Sequence, residues 1–143
     1  MPIEDHCRTD FATARKEDTI RELASRMDRE NIGCAFVVDD RERPIGAITD
    51  RDIAMQVLRR GRDPEETRVG DVMQSELTTL WRSAPLLTAF RRMRHDGLRR
   101  IPVVDDARRL IGVLEWDDAL QIIAEELEHA ARVARAQSGA TTH

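Results

Sequence analysis

The chain has 143 residues, of which 41% are hydrophobic and 35% charged, and its formal net charge is −4 at pH 7. This length corresponds to about one domain with a buried core, and the acidic balance with 3% aromatic residues argues against nucleic acid or an anionic membrane as a partner. No apolar run approaches the ~18 residues of a membrane span, the amino terminus has no apolar signal core, and the two cysteines form no disulfide framework, so we expect a protein of the reducing cytoplasm.

The first half of the chain predicts a strand, a helix, two strands and a second helix. After a lead-in, these are a strand at 11–14, a helix that Asp18 caps and that ends at Asn31, strands at 34–38 and 45–48, and a helix at 52–60. The first helix is predicted by an apolar stripe at i, i+3, i+4 and i+7, formed by Ile20, Leu23, Ala24 and Met27. Asparagine suits the left-handed conformation at which such a helix stops.

The second half predicts the same order of elements. These are a strand at 77–80, a helix that ends at Gly97, strands at 101–104 and 111–114, and a helix at 117–136. The last helix is longer than one repeat needs, and its apolar positions either cover a partner subunit or trail into solvent (Leu120, Ile123, Leu127, Ala130 and Ala134). Residues 138–143 are expected to form a frayed tail.

The second half repeats the first at a constant offset of 66 positions, without a gap. Residues that coincide with their counterparts include Met27, Val37, Val38, Asp39, Asp40, Arg43, Ile45, Gly46 and Asp52. Two copies are too few for an open solenoid, so we expect them to pack on each other around a pseudo-twofold axis, with a cleft between their small sheets. The sequence thus predicts an α+β fold, with repeats at 1–66 and 67–126 and a carboxyl-terminal helix extension and tail at 127–143, all in one module.

A polar segment follows the last strand of the first repeat, where the next helix begins. In this segment Thr49 and Asp52 have the spacing of a capping box, in which each side chain bonds the backbone N–H of the other. The same residues suit a ligand, because Asp52 can accept bonds from both hydroxyls of a ribose and Arg51 can hold a phosphate through its planar fork. Free N–H groups at the start of the helix would favour phosphate as well. A structural cap and a ligand site are therefore alternatives, and one threonine can serve both.

These features resemble a pair of cystathionine-β-synthase (CBS) domains, often called a Bateman module. The resemblance rests on the helix ends at Asn31 and Gly97, on the strand that ends Pro102-Val-Val-Asp105, and on Gly46-Ala-Ile-Thr49-Asp-Arg-Asp52, at fixed spacing in a duplicated series. It covers residues 3–125, so the chain resembles small stand-alone CBS proteins of bacteria, with no catalytic domain left over. The family implies a regulatory adenine-nucleotide ligand (AMP, ATP, NAD(H) or S-adenosylmethionine) and back-to-back homodimers that form a disc.

Carried over by position, the resemblance implies which residues would surround such a ligand. The adenine slot would be formed by Thr13, Ala35 and Phe36 in the first repeat and by Thr79, Ile101 and Pro102 in the second. Phe36 stands where the family has proline, and a core aromatic is the alternative role for it. Arg99 and Arg100 precede the second central strand and would reach a phosphate in the cleft, unless they are solvated or paired with an acid.

The second repeat departs from the pattern that carries the site. Glu115 replaces the threonine and Asp117 replaces the arginine, while Asp118 keeps the aspartate. A carboxylate aimed at a polyphosphate repels it. Asp118 is left either to accept a ribose or to face solvent, and we expect the site beside Asp52 to dominate.

The sequence therefore predicts a regulatory module that senses a ligand, and not an enzyme. A ligand in the cleft would favour one relative orientation of the repeats, which an unknown partner protein would read. A dimeric scaffold that works without ligand is the alternative, favoured by the degenerate second motif and by Phe36. No nucleophile–base pair and no metal-ligand spacing is visible, so we expect neither catalytic nor metal-binding residues.

Overall fold

The computed structural model describes residues 2–140, which form two repeats of strand–helix–strand–strand–helix. The first consists of β1 (Thr13–Ala14), α1 (Ile20–Glu30), β2 (Cys34–Val38), β3 (Pro44–Thr49) and α2 (Asp50–Ile53), which continues as a π-helical turn (Ala54–Leu58). After a short helix α3 (Val69–Val72), the second consists of β4 (Leu80–Trp81), α4 (Leu86–Asp96), β5 (Arg100–Val104), β6 (Leu110–Glu115) and α5 (Trp116–Ala140). The predicted α+β fold with tandem repeats is confirmed.

Each repeat has a three-stranded sheet, and the two sheets have the same topology. The strand orders are β1-β2-β3 and β4-β5-β6, with the first pair parallel and the second antiparallel in each sheet. Even the irregularities of pairing coincide, because the register shifts between Val37 and Val38 and again between Val103 and Val104. The duplication in sequence is therefore a duplication in backbone geometry.

The helices α1 and α4 end where the sequence predicts. Asn31 and Gly97 have φ of 53° and 67°, the left-handed conformation that stops a helix. The start of α1 differs from the prediction, since Thr19 and not Asp18 is the cap. Thr19 and Glu22 form a capping box, whereas the Asp18 carboxylate accepts the N–H of Arg15 at 2.9 Å.

Several predicted boundaries are wrong by a few residues. The second helix of the first repeat, α2, begins at Asp50 instead of 52. The last helix, α5, runs to Ala140 instead of 136, because no helix-breaking residue precedes Gly139. The short strands β1 and β4 are two residues long, since only two positions of each pair with the central strand. Ser138 is helical, and residues 141–143 of the predicted tail lie outside the described residues.

The segment that precedes β1 and the segment that precedes β4 each pack on the opposite repeat, and we call them the exchanged segments. Ile3, at the amino terminus, is fully buried in the core of the second repeat, and its N–H donates to the carbonyl oxygen of Ala84 at 3.1 Å. Conversely, Val69 and Val72 of α3 lie in the core of the first repeat. Each segment therefore packs on the repeat that it does not lead into, which ties the two repeats together.

The exchange ends in two equivalent backbone crossings. Arg8 and Val113 exchange N–H···O=C bonds of 2.8 and 2.9 Å, and Gln74 and Ala47 exchange bonds of 2.8 and 2.9 Å. Arg8 and Gln74 are 66 positions apart, as are Ala47 and Val113. The pseudo-twofold axis therefore relates the exchanged segments as well as the repeats.

Candidate functional site

Among the clefts lined by both repeats, two are related by the pseudo-twofold axis. The larger cleft has a volume of about 600 Å³ and the smaller one of about 210 Å³. Most residues that line one cleft are counterparts, 66 positions away, of residues that line the other. Cys34, Phe36 and Arg100 line both clefts and form the wall between them.

The larger cleft combines strand residues of both repeats with the segment that precedes β4. It is lined by Cys34, Phe36, Ala47, Thr49, Gln74, Glu76, Leu77, Thr78, Asp96, Leu98, Arg100 and Pro102. Phe36 and Pro102 are buried and contribute flat apolar surface, while Thr49 stands at the end of β3. A flat apolar wall with a few polar groups at one end is typical of small-molecule sites.

Thr49 and Asp52 form the capping box that their spacing predicts. The hydroxyl of Thr49 accepts the N–H of Asp52 at 3.1 Å, and the carboxylate of Asp52 accepts the N–H of Thr49 at 2.9 Å. The N–H groups of the two residues between them are also engaged, with the carbonyl oxygen of Gly33 (3.0 Å) and the carboxylate of Asp50 (2.8 Å). The expectation that this helix start offers free N–H groups to a phosphate is therefore wrong.

A neutral amide holds the Asp52 carboxylate at the edge of the larger cleft. The Nε2 of Gln74 lies 3.0 Å from Oδ1 and 3.1 Å from Oδ2 of Asp52. A carboxylate offers about four acceptor positions, so this arrangement leaves capacity for a further donor. Asp52 can therefore accept a hydroxyl without losing its structural contacts.

In the smaller cleft an arginine takes the place of that amide. The Nε and Nη2 of Arg8 lie 2.5 and 3.0 Å from the two carboxylate oxygens of Asp118, a bidentate pair. Bonds from the Arg8 guanidinium hold the pKa of the Asp118 carboxyl below its ordinary value. Glu115 lines this cleft at the position equivalent to Thr49. The second cleft is thus smaller, and its aspartate is already neutralised.

The wall between the clefts places a thiol beside a guanidinium. Burial raises the pKa of the Cys34 thiol, and the positive charge and hydrogen bond of Arg100 oppose that rise. The Nε of Arg100 lies 3.8 Å from the carboxylate of Glu115, its partner on the neighbouring strand β6. Among the described residues that line the larger cleft, Arg100 is the single cation, beside the acids Glu76 and Asp96.

The structure brings together part of the residue set that the sequence predicts. Phe36, Thr49 and Pro102 line the larger cleft, and Asp52 is bonded to its lining residue Gln74. Phe36 is only 5% exposed, as expected of a core aromatic, and its remaining surface forms part of the cleft wall. The ligand contacts of these residues remain predictions.

Other predicted residues lie elsewhere. Ala35 and Ile101 are fully buried in the two cores, and Thr13 lies in β1, where its carbonyl oxygen accepts a bond from Arg26. Thr79 lines a separate surface depression beside Trp81. Arg51 and Arg99 are exposed, and neither they nor Ala35, Ile101 or Thr13 are among the described residues that line either cleft. Asp118 is beside the smaller cleft, paired with Arg8.

The residues of the exchanged segments that line the clefts are not among those predicted from the sequence. Gln74 and the stretch 76–78 line the larger cleft, and Arg8, Asp10 and Phe11 line the smaller one. The offset of 66 positions makes Gln74 the counterpart of Arg8, so the duplication contained the signal that the two have equivalent roles. It did not show that each contacts the opposite repeat.

Within residues 2–140 no group of three or more His, Cys, Asp or Glu side chains is arranged to hold a metal ion. None of the helices in that range is sufficiently long and apolar to cross a membrane.

Comparison with known proteins gives the same family for both repeats. The family model described as CBS domain matches residues 3–59 and again 69–125. The "CBS domain-containing protein YhcV" of Bacillus subtilis is 35% identical over 116 residues, which are 81% of this chain and 81% of that protein. The "Uncharacterized protein MK0525" of Methanopyrus kandleri is 34% identical over 122 residues, 85% of this chain but only 62% of the length of that relative.

A solved structure with the same architecture contains a bound nucleotide. The cytosolic domain of the Mg²⁺ channel MgtE, solved in complex with ATP, is 25% identical and superposes with a TM-score of 0.70, covering 80% of this chain and 45% of that one. The two family matches, the relatives and the duplicated fold agree, and the chain belongs to the CBS domain family as a tandem pair of CBS domains.

Proposed function

We propose that the larger cleft binds an adenosyl ligand and that the module reports its occupancy to a partner protein. The observation that supports this is a cavity of about 600 Å³ in which Thr49 of the first repeat faces Leu98 and Pro102 of the second. Small-molecule sites have about this volume and lie between structural units. A ligand in this cleft would contact both repeats at once.

Each end of the cleft suits one part of an adenosyl group. The adenine ring would lie against the flat surfaces of Phe36 and Pro102, and a ribose hydroxyl would donate to Asp52 beside Thr49. Arg100 would hold a single phosphate through its planar fork. The complex of the related MgtE domain with ATP supports an adenine nucleotide as the class of ligand.

The charges of the cleft favour a ligand with few phosphates. Arg100 is the single lining cation among the described residues and lies 3.8 Å from Glu115, while Glu76 and Asp96 add negative charge. Since the N–H groups at the start of α2 are already bonded, they are not available to neutralise further phosphates. Of the ligands considered, AMP and the cationic S-adenosylmethionine fit these charges better than ATP.

Ligand binding would signal by selecting one arrangement of the repeats. A ligand shifts such an equilibrium only as far as it prefers one arrangement, and a ligand that touches both repeats meets this condition. We further propose that the chain acts in the cytoplasm as a homodimer and that the regulated partner reads the relative orientation of the repeats. Purification followed by light scattering would measure the oligomeric state.

Calorimetric titration with AMP tests the ligand proposal. Asp52→Ala should reduce the affinity by about tenfold or more, because a charged hydrogen-bond acceptor for the ribose is lost. Asp118→Ala, at the equivalent position, is the matched control and should leave the affinity of the larger cleft unchanged. Equal losses in the two variants would refute the assignment to the larger cleft.

A scaffold that works without ligand is the second candidate function. It is favoured by the exposed apolar side chains of α5, where Leu127 is 66% and Val133 58% exposed. A thermal-shift panel of AMP, ATP, NADH and S-adenosylmethionine separates the two functions, because a ligand that binds only the folded protein raises the unfolding temperature. No shift with any of them would favour the scaffold.

A further inference from the structure

Arg8 and Gln74 make the same contact in the two halves of the molecule with different chemistry. Each lies at the end of an exchanged segment and donates to the aspartate of the repeat on which that segment packs. Gln74 offers one neutral amide nitrogen to Asp52, whereas Arg8 offers two nitrogens of a cation to both oxygens of Asp118. Charge-assisted bonds to a carboxylate are about twice as strong as neutral ones, and the bidentate form is the strongest.

The exchanged segment also holds Arg8 in place before any ligand arrives. Its backbone is paired with Val113 through bonds of 2.8 and 2.9 Å, and the preceding Cys7 packs directly over Gly112. Ile3 anchors the same segment in the core of the second repeat. The fixed backbone keeps the base of the Arg8 side chain beside Asp118, so the pair forms without any movement of the segment.

We propose that Arg8 is the specificity-determining residue that limits the chain to a single bound adenosyl ligand, because its guanidinium neutralises in the smaller cleft the aspartate that would otherwise accept the ribose. This inference rests on the proposed function of the larger cleft. The residue at the end of each exchanged segment, arginine or glutamine, then determines whether the cleft beside it can bind the adenosyl ligand. Glu115 strengthens the block, since it puts a carboxylate where the open cleft has Thr49.

Exchange of the equivalent residues tests the inference in the full-length chain, with AMP titrated in a calorimeter. Glu115→Thr alone should still bind one AMP per chain, because Arg8 remains on Asp118. Glu115→Thr combined with Arg8→Gln should bind a second AMP, because Asp118 then has the same threonine and glutamine beside it that Asp52 has in the larger cleft. A second site that appears in Glu115→Thr alone, or no added site in the double variant, would overturn the proposal.

The opposite exchange closes the larger cleft without any change in the smaller one. Gln74→Arg should weaken AMP binding by about tenfold or more, since a bidentate cation would then cover Asp52. Gln74→Leu is the matched control, which removes the amide but adds no charge, and it should bind AMP more tightly than Gln74→Arg. Equal affinities of the two variants would contradict the role of the guanidinium. Absence of AMP binding by the unmodified chain would refute the proposed function, whereas a site gained by the double variant would still support the role of Arg8.

Discussion

The sulfur of Met73 lies over Gly46, at the crossing of the exchanged segment and β3. A Cβ at position 46 would stand 2.7 Å from this sulfur and 2.8 Å from the carbonyl oxygen of Gln74. In the second repeat Cys7 covers Gly112 in the same way, and a Cβ there would stand 3.0 Å from the carbonyl oxygen of Arg8. Both glycines, which coincide in the duplicated sequence, are therefore required because a backbone passes directly over them.

Gly46→Ala should destabilise the protein by about 1–3 kcal/mol, because the added methyl group forces the crossing backbone away and weakens its pairing with Ala47. Urea unfolding followed by circular dichroism measures the change. Gly139→Ala in α5 is the control, since a Cβ there meets no atom of residues 2–140 within 4 Å outside its own helix backbone, and it should be neutral or slightly stabilising. If Gly46→Ala lowers the free energy of unfolding by no more than the experimental error of the control, the crossing backbone can move without cost.

The turns that follow the central strands should make the folded state sensitive to acid. Asp105, which is only 7% exposed, accepts the backbone N–H groups of Arg109 and Ala107 and the Nε of Arg109, each at 2.9 Å. These bonds, with the backbone bond from Arg109 foremost, hold the pKa of Asp105 below its ordinary value. The equivalent Asp39 has a pKa lowered in the same way by Arg43 and Arg41.

Because these pKa values are depressed in the folded protein, their stabilisation is present above the unfolded pKa of about 3.9 and disappears as the pH falls through the lower folded values. We expect the free energy of unfolding to decrease as the pH is lowered from about 5 towards about 2. Asp105→Asn should make this decrease shallower, as measured by urea unfolding at a series of pH values. Glu126→Gln, on the exposed face of α5, serves as the control. Parallel curves for Asp105→Asn and the unmodified chain would contradict this origin of the acid sensitivity.

The charges that line the larger cleft should make the module prefer AMP over ATP. Each additional phosphate of ATP would meet Glu76 without a further lining cation to compensate, whereas Asp96 is already paired with Arg92 at 3.7 Å. About 1.4 kcal/mol of repulsion suffices for a tenfold difference in affinity. Added salt should reduce the difference, since it screens charges in an open cleft. Calorimetric titration of both nucleotides at two ionic strengths measures this.

Glu76→Gln provides the matched variant for that comparison. It removes one negative charge from the cleft and retains the shape of the side chain, so the affinity for ATP should rise by a larger factor than the affinity for AMP. An equal rise for both nucleotides, or tighter binding of ATP than of AMP by the unmodified chain, would show that the phosphates lie away from Glu76.

The sequence was sufficient to predict the repeats and their elements because those depend on local rules. The stripe on α1, the helix ends at Asn31 and Gly97 and the apolar central strands are each visible within a few residues. The capping box of Thr49 and Asp52 is equally local, and its geometry is the one that the spacing predicts. The cap of α1 was misplaced by one residue because Asp18 and Thr19 are both good caps, and only the turn closed by Arg15 selects between them.

The lining of the clefts could not be derived in the same way. Ile3 and Val69 are apolar and occupy equivalent positions in the repeats, but burial against either repeat would satisfy that pattern. Only the tertiary structure decided that each segment crosses to the opposite repeat, and this crossing brings Gln74 to Asp52 and Arg8 to Asp118. The physical reason is that hydrophobic burial is non-directional, so a sequence determines which residues leave water, whereas the packing of the whole chain determines which residues they meet.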